Sequence, residues 1–292
     1  MEKDMMYNND IISTQLVSSE AAAKIIAPWI EHIANIISSN RPGSEIQLQH
    51  NHQGQHSDSF KITTGDSQAF LKVFKPNSST SNKFYTKERD ALIVFQNQSN
   101  TPKHYAHCDL QSFLVTEWIE GETVHNKLSI TNIDNISHQI GISLAEWEYA
   151  APEQSLTGNW YTYLQKILST KQLIPVERAK DLLLSTPLCG QSLAQNDCSL
   201  SNLIIDKSDK IWRCDYEKSS FRPRGWDYIT CFLALIQKMP TEIDNIANGL
   251  IKGFSSKNHG VLLHEELNMV AKILYCCLAM DKEPAYEVFP LQ

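Results

Sequence analysis

Hydrophobic and polar residues follow two different spacings along the chain, and the change comes near residue 125. Before that point, segments that alternate or are rich in β-type residues predict an antiparallel sheet, with "TGDS" as a hairpin turn. Apolar residues at helical spacing predict one helix before the sheet and one between its strands. The predicted strands cover 45–49, 59–63, 69–74 and 111–119, and the predicted helices cover 18–39 and 82–97.

Beyond residue 125 the spacing is mainly helical. Helices are predicted over 138–150, 160–168, 176–184, 226–239 and 266–280. Two short apolar segments, "SNLIID" and "IWRCDYE", flank the turn "KSDK" and predict a hairpin inside the helical part. We therefore expect a small β-rich N-terminal lobe over 1–120, with a hinge at its end, and a large helical lobe over 121–292. A ligand-binding cleft is expected between them.

Composition excludes some classes of function. The 292 residues are 42% apolar, which is enough for an ordinary globular core. There are 33 acidic and 26 basic residues, and the resulting net charge of −7 disfavours a nucleic-acid partner. No apolar run is long enough for a signal peptide or a membrane span, so we expect a soluble cytoplasmic protein with no membrane partner. The seven cysteines form no CxxC pair, which is typical of reduced, buried thiols.

Three polar residues frame the predicted hairpin. Asp197 and Asn202 precede its first strand and Asp215 ends its second, so folding of the hairpin brings all three together. Phosphoryl transfer uses such a set: an acid that deprotonates the attacking hydroxyl, an amide and an acid that hold magnesium, and a cation on the phosphates. Lys72, on a predicted apolar strand, supplies a cation, and Glu88 on the following helix is its natural partner. Taken singly, each motif fits a capped turn or a solvated side chain equally well.

Several motifs together resemble the aminoglycoside phosphotransferase and choline/ethanolamine kinase family. They are "AFLKVF", "KERDAL", "LVTEWIEGE", "QNDCSLSNLIID" and "CDYEKSSFRPRGWDY", and they occur in the family's order between about residues 45 and 235. The resemblance implies an α+β, protein-kinase-like bilobal fold with a small antiparallel β N-lobe and a large mainly helical C-lobe. It also implies ATP and Mg²⁺ as cofactors.

The resemblance assigns roles to residues of the helical lobe. Asp197 is similar to the catalytic base, and Asn202 and Asp215 are similar to the magnesium ligands. Asp227 resembles the acid that braces the catalytic loop. Glu217 is expected to support the metal loop or a second ion, or to make a purely structural hydrogen bond. Cys198, beside the base, is interpreted as a bystander because no histidine lies near it in the sequence.

In the β-rich lobe, the resemblance implies a nucleotide site. Lys72 and Glu88 resemble the ion pair that anchors the phosphates. Thr116 and Trp118 lie where the family's hinge bonds the adenine edge through its backbone. The segment "GQHSDSF", with Gly54, Ser57 and Ser59, resembles the loop that covers the phosphates, where exposed N–H groups suit bound oxygens.

The chain departs from the family pattern at several positions. Gln195 stands where the family's catalytic loop has histidine, and an amide can still donate and accept hydrogen bonds there. Ala234 stands where choline kinases have an acid that faces the substrate's ammonium group. No tryptophan follows Trp226, so an aromatic box for a quaternary ammonium is not found.

These patterns together predict a kinase that transfers the γ-phosphate of ATP to a hydroxyl of a small molecule. An acceptor that carries a cationic amine, such as an amino alcohol or an aminoglycoside, fits the acidic balance of the chain. The alternative of another class is a nucleotide-binding pseudokinase or interaction module, suggested by Gln195 and by the degenerate phosphate loop. A protein kinase is disfavoured because no Ala-Pro-Glu segment occurs between Asp215 and Asp227. The identity of the acceptor and the oligomeric state stay open.

Overall fold

The computed structural model describes residues 12–13, 24–37, 46–75, 78–158 and 189–257. The chain divides into two compact units. Unit 1 consists of residues 1–97 and 101–119, and unit 2 consists of residues 98–100 and 120–292. No described helix has the length and apolar content needed to cross a membrane.

Unit 1 is built on one sheet in the order β1-β2-β3-β4-β6-β5. The two-residue strand β1 runs parallel to β2, and the other five strands pair antiparallel. Phe60, Ile62, Leu71 and Val115 are fully buried in its core. The strands are β1 (Ile12–Ser13), β2 (Ile46–Gln53), β3 (Ser57–Thr64), β4 (Ser67–Phe74), β5 (His104–Cys108) and β6 (Phe113–Glu117).

Two helices accompany this sheet. Helix α1 (Ile30–Ile37) follows a 3₁₀ turn at Ala27–Trp29 and buries an apolar face in the core of the sheet. Helix α2 (Ser79–Val94) begins at an N-cap, where the Ser78 side chain accepts a hydrogen bond from the Ser81 N–H. The helix therefore starts three residues before the predicted boundary at residue 82.

Unit 2 combines helices with two three-stranded antiparallel sheets, ordered β11-β10-β7 and β12-β9-β8. The strands are β7 (Gly121–Thr123), β8 (Glu153–Gly158), β9 (Cys189–Ala194), β10 (Leu203–Asp206), β11 (Ile211–Arg213) and β12 (Ser220–Pro223). The helices are α3 (Val124–Lys127), α4 (Ile133–Ala150), α5 (Trp226–Lys238) and α6 (Ile243–Lys257), with a 3₁₀ turn at Pro240–Glu242. Apolar side chains from α4, α5 and α6 form the core of this unit.

Helices α4 and α6 approach each other closely through glycines. A Cβ atom on Gly249 would lie 2.7 Å from the Cβ of Ser137, and one on Gly253 would overlap the carbonyl oxygen of His138. Gly141 on α4 has no room for a side chain either, because it faces the carbonyl of Leu250. The absence of side chains at these positions therefore sets the distance between the two helices.

The structure confirms the predicted α+β fold class, with five antiparallel strands in unit 1 and a largely helical unit 2. The helices predicted at 160–168, 176–184 and 266–280 lie outside the described residues. Two predicted boundaries were wrong. Helix α4 starts at Ile133 instead of residue 138. Strand β11 ends at Arg213, so Asp215 does not end a strand. Asp215 leaves the β conformation because its φ is 67°. The unpredicted elements among the described residues are the strands β1, β5, β7, β8, β9 and β12 and the helices α3 and α6.

Candidate active site

The loop between β9 and β10 carries Asp197 and Asn202. It turns at Asn196, whose φ of 64° lies in the left-handed region that asparagine tolerates better than most residues. Asn202 closes the loop, because its N–H donates to the Ser199 carbonyl at 2.9 Å and its Nδ2 to the Asp197 carbonyl at 3.2 Å. The Asp197 side chain is 23% exposed, which leaves its carboxylate accessible to a ligand.

Hydrogen bonds join the segment that contains Asp215 to this loop. The Cys214 N–H donates to the Asn202 carbonyl at 2.9 Å. Gln195 lies at the start of the loop, fully buried, and its Nε2 donates to the carbonyls of Cys214 at 2.5 Å and Asp215 at 3.2 Å. The structure thus brings the segments of Asp197, Asn202 and Asp215 together in unit 2.

Asp227, the second residue of α5, contacts the loop that carries Asp197 and is 3% exposed. Its Oδ2 accepts from the backbone N–H of Gln195 at 2.8 Å, and its Oδ1 accepts from that of Asn196 at 3.0 Å. The same Oδ2 accepts from Arg213 Nη2 at 2.6 Å. One buried carboxylate therefore fixes the start of the loop and neutralises a buried cation.

Arg213 is fully buried, and sequence analysis missed it. Its Nε donates to Gln195 Oε1 at 2.9 Å, and its guanidinium carbon lies 4.2 Å from the centre of the Trp147 ring. Tyr216 stacks on the same ring and donates its hydroxyl hydrogen to the Arg213 carbonyl. A basic residue in an apolar strand, the signal that singled out Lys72, could have identified it.

Cys198 is a neutral, buried neighbour of Asp197. Burial, and then the charge of Asp227, raise the pKa of its thiol well above the ordinary value. Arg213 Nη2 contacts its sulfur at 3.4 Å. Because the thiolate is the nucleophilic form, this environment favours the interpretation of Cys198 as a bystander.

The turn after Asp215 contains Glu217 and Lys218. Glu217 is half-buried. Lys218, which sequence analysis did not single out, donates from Nζ to Asp197 Oδ2 at 2.5 Å. Its carbonyl accepts from Asn196 Nδ2 at 3.2 Å. A cation is thus placed on the carboxylate that resembles the catalytic base.

In unit 1, the predicted ion pair between Lys72 on β4 and Glu88 on α2 is present. Lys72 Nζ donates to Glu88 Oε2 at 2.7 Å, and both side chains are less than one tenth exposed. Breaking a buried ion pair by removal of one partner is destabilising. This arrangement holds the ammonium group of Lys72 against the carboxylate of Glu88.

The turn between β2 and β3 contains Gly54. Its N–H donates to the Ser57 carbonyl at 2.8 Å, and its carbonyl accepts from Lys75 Nζ at 2.6 Å. A Cβ at this position would lie 2.9 Å from the Ser57 carbonyl oxygen. Ser59 lies inside strand β3 and not in the turn, and its hydroxyl donates to the His52 carbonyl at 3.4 Å.

Thr116 and Trp118 lie at the end of β6, just before the chain leaves unit 1 after Ile119. Thr116 is buried and pairs with Phe70 across the sheet. The Trp118 ring packs against Phe70 at 6.4 Å between centroids, and the ammonium group of Lys61 lies 4.6 Å from its centre. These contacts fix the backbone segment that the resemblance assigns to the adenine.

Neither a family model nor a curated protein sequence matches this chain. Solved structures match its fold. The aminoglycoside phosphotransferase APH(2'')-Ib, solved with ADP bound, aligns over 91% of this chain and 96% of its own, with a TM-score of 0.56 and 17% identity. An ethanolamine kinase from Plasmodium vivax covers 90% and 87%, with a TM-score of 0.53 and 14% identity. A choline kinase from Cryptosporidium parvum covers 84% of each chain, with a TM-score of 0.52 and 18% identity. The chain therefore has the protein-kinase-like fold shared by aminoglycoside phosphotransferases and choline and ethanolamine kinases.

Proposed function

We propose that this protein transfers the γ-phosphate of ATP to a hydroxyl group of a small molecule. The observation that carries the proposal is the hydrogen-bonded arrangement in unit 2 that joins Asp197, Asn202 and the Asp215 segment. Solved structures with this fold are named as small-molecule phosphotransferases, and one is named as ADP-bound. This supports a nucleotide as the phosphate donor.

In the proposed reaction, the oxygen of the acceptor hydroxyl attacks the γ-phosphorus and the hydroxyl proton passes to Asp197. The bond from that phosphorus to the β,γ-bridging oxygen breaks, and ADP leaves with its electron pair. Lys72, held by Glu88, contacts the phosphates of the nucleotide. The turn at Gly54 and Ser57, with Ser59 behind it, covers them. The other assigned residues complete the site: Thr116 and Trp118 bond the adenine through their backbone, and Gln195, Glu217 and Asp227 support the two catalytic segments.

Mg²⁺ fits the residues that resemble metal ligands. The Nδ2 of Asn202 is used by the Asp197 carbonyl, which leaves the amide oxygen as its ligand atom. Asp215 adds a carboxylate, and such hard oxygen ligands suit Mg²⁺. When bound, the ion would offset the charge of the ATP phosphates. The hydrogen bond from the Cys214 N–H to the Asn202 carbonyl holds the backbone next to Asp215 against that of Asn202.

For the acceptor we propose a hydroxyl compound with a primary or secondary amine, as in an amino alcohol or an aminoglycoside. Ala234, where choline kinases carry an acid, packs against the apolar core of unit 2. A primary or secondary amine can donate hydrogen bonds to carbonyls or carboxylates, whereas a quaternary ammonium donates none. The acidic balance of the chain also favours a cation.

The test is transfer of labelled phosphate from ATP to amino alcohols, choline, aminoglycosides, neutral sugars and a generic protein. Amine-bearing alcohols should react fastest, and Asp197→Asn should lower turnover by about 10²- to 10⁴-fold with nucleotide affinity nearly unchanged. Asp209→Asn makes the same chemical change at an exposed turn residue and should have no effect.

Choline or a neutral sugar as the best acceptor would contradict the proposed acceptor class. Transfer to protein alone would assign the enzyme to another class. A nucleotide-binding pseudokinase is the second candidate. It is favoured by the ion pair between Lys218 and Asp197, because the carboxylate proposed as the base is already bound to a cation. ATP binding without transfer to any acceptor would select it.

A further inference from the structure

The turn that carries Lys218 is attached to the catalytic loop independently of the lysine's own charge. The Lys218 carbonyl accepts from Asn196 Nδ2 at 3.2 Å, and Asn196 Oδ1 accepts from Arg222 Nε at 3.0 Å. Two residues after Lys218, strand β12 begins and pairs Ser220 with Ala194 of β9. The backbone of Lys218 is therefore positioned by the loop that presents Asp197.

The ammonium group of Lys218 lies among carboxylates. Its hydrogen bond to Asp197 raises the pKa of Lys218; partial burial lowers it, and the nearby charges of Glu217 and Asp215 raise it further. The group therefore remains a cation where a nucleotide phosphate and its metal would bind under the proposed function.

Arg213 and Lys218, two of the cations near Asp197, differ in exposure. Arg213 is fully buried and is held by Asp227 and Gln195, so it cannot reach a ligand. The Lys218 side chain is 49% exposed. An exposed ion pair of this kind contributes little to stability, and a lysine stem rotates freely, so the ammonium group can leave Asp197 at small cost.

Phosphoryl transfer gives this mobile cation a use. Negative charge spreads over the three equatorial oxygens of the phosphoryl group in the transition state. The carboxylate of the base must lie near that group, and it repels the phosphate until it has taken a proton. A cation that moves from the carboxylate to the phosphoryl oxygens relieves this repulsion and stabilises the developing charge.

On the basis of the proposed function, we propose that Lys218 is a second catalytic residue, whose ammonium group contacts the transferring phosphoryl group when ATP and acceptor are bound. The acceptor oxygen forms a bond to the γ-phosphorus while the bond from that phosphorus to the β,γ-bridging oxygen breaks. ADP leaves with the electron pair of that bond, and the hydroxyl proton passes to Asp197. Lys218 keeps all its protons throughout.

The experiment compares Lys218→Met, Lys218→Arg and Lys207→Met with the wild type. Lys207 is a matched control, since it is an exposed lysine in unit 2 with an exposed ion pair to Glu120. We expect Lys218→Met to lower kcat by about 10²-fold, with KM for ATP and the melting temperature nearly unchanged. Lys218→Arg should recover part of the loss, and Lys207→Met should match the wild type.

A second comparison separates contact with phosphate from an effect exerted through the base. If Lys218 touches the phosphoryl group, Lys218→Met should still lower kcat in the Asp197→Asn background. Loss of the effect there would overturn the proposal, as would an unchanged kcat in Lys218→Met or a loss that follows the melting temperature and is not rescued by arginine.

A wild type inert with every acceptor would overturn the proposed function, and the role of Lys218 with it. An active wild type with an indifferent Lys218→Met would overturn the lysine's role alone.

Discussion

At the scale of single residues, Gln195 makes hydrogen bonds to several parts of the candidate site. The sequence predicted only a hydrogen-bonding replacement for histidine at this position. Gln195 Nε2 donates to the carbonyls of Cys214 and Asp215, its Oε1 accepts from Arg213, and its N–H donates to Asp227. Histidine at this position would keep a ring N–H donor. We therefore expect Gln195→His to retain activity within about tenfold, a change of about 1.4 kcal/mol in the barrier.

The matched variant is Gln195→Glu, which has the same shape but no side-chain donor. It leaves the carbonyls of Cys214 and Asp215 without the Nε2 donor, at about 1–3 kcal/mol for a buried group left unsatisfied. Steady-state kinetics and urea unfolding of both variants measure the two effects. An inactive histidine variant beside an active glutamate variant would show that hydrogen-bond donation at this position is not what the site needs.

His104 on β5 gives unit 1 a dependence on pH. Burial, and then the charge of His107 stacked against it at 5.2 Å between ring centroids, lower the pKa of His104 below its ordinary 6.5. In the unfolded chain the pKa returns to about 6.5, so the unfolded state takes up a proton first as the pH falls. The contribution of neutral His104 to the free energy of unfolding is therefore fully present above about pH 6.5 and is lost as the pH falls below it.

We expect His104→Gln to lose less stability than the wild type between about pH 7.5 and about pH 5.5, because glutamine takes up no proton in this range. Urea unfolding of both proteins at the two pH values measures the difference. Parallel losses in the two proteins would exclude His104 as the source of this dependence.

At the scale of helices and strands, the glycines between α4 and α6 carry a second prediction of stability. Alanine stabilises an unconstrained helix by about 1 kcal/mol relative to glycine. At Gly253, however, a methyl group would overlap the His138 carbonyl, and overpacking costs about 1–3 kcal/mol. Gly253→Ala should therefore destabilise the protein.

The control is Asn248→Ala, an exposed position on the same helix where only helix propensity changes, by a few tenths of a kcal/mol in favour of alanine. Urea unfolding followed by circular dichroism compares the three proteins. A Gly253→Ala variant as stable as Asn248→Ala would mean that the two helices can move apart without loss.

The same glycines explain why α6 was not predicted. Gly249 and Gly253 weaken the local helix signal, and their use becomes visible only when a second helix packs against them. Strands β5, β9 and β12 were missed for a related reason, since they are short and mix polar with apolar residues, and tertiary pairing decides their conformation. Long segments with regular spacing, such as α2, α4 and α5, were predicted with small errors at their ends.

In the candidate site, too, residues with a local sequence signal were predicted and a residue that depends on tertiary contacts was missed. Polar residues next to predicted strands pointed to Asp197, Asn202 and Asp215, and the lysine in an apolar strand pointed to its partner Glu88. Lys218 gave no such signal because a lysine after an acidic turn is usually solvated. Its contact with Asp197 depends on a fold that brings residues 21 positions apart together.

At the scale of the whole molecule, ATP should raise the melting temperature only when magnesium is present. A ligand that binds the folded state stabilises it, by about 2.7 kcal/mol at a concentration 100 times its Kd. Asp215→Ala removes one proposed metal ligand and should reduce the ATP-induced shift. The shift is measured against the same variant without ligand, so a change in intrinsic stability does not enter it.

Asp209→Asn serves again as the control and should give the wild-type shift. Calorimetric titration with ATP, with and without magnesium, gives the affinities directly. If Asp215→Ala binds ATP as the wild type does, with the same dependence on magnesium, the assignment of this segment to the metal is wrong.

The left-handed backbone at Asp215 limits which residues evolution can place there. Most side chains are strained at a φ of 67°. Glycine relieves the strain but offers no oxygen to a cation, and glutamate keeps the carboxylate without the tolerance for this conformation. Asparagine combines tolerance with an uncharged oxygen. A lineage that abandoned catalysis and kept the fold would be expected to drift to asparagine or glycine at position 215, and either residue would mark an inactive descendant.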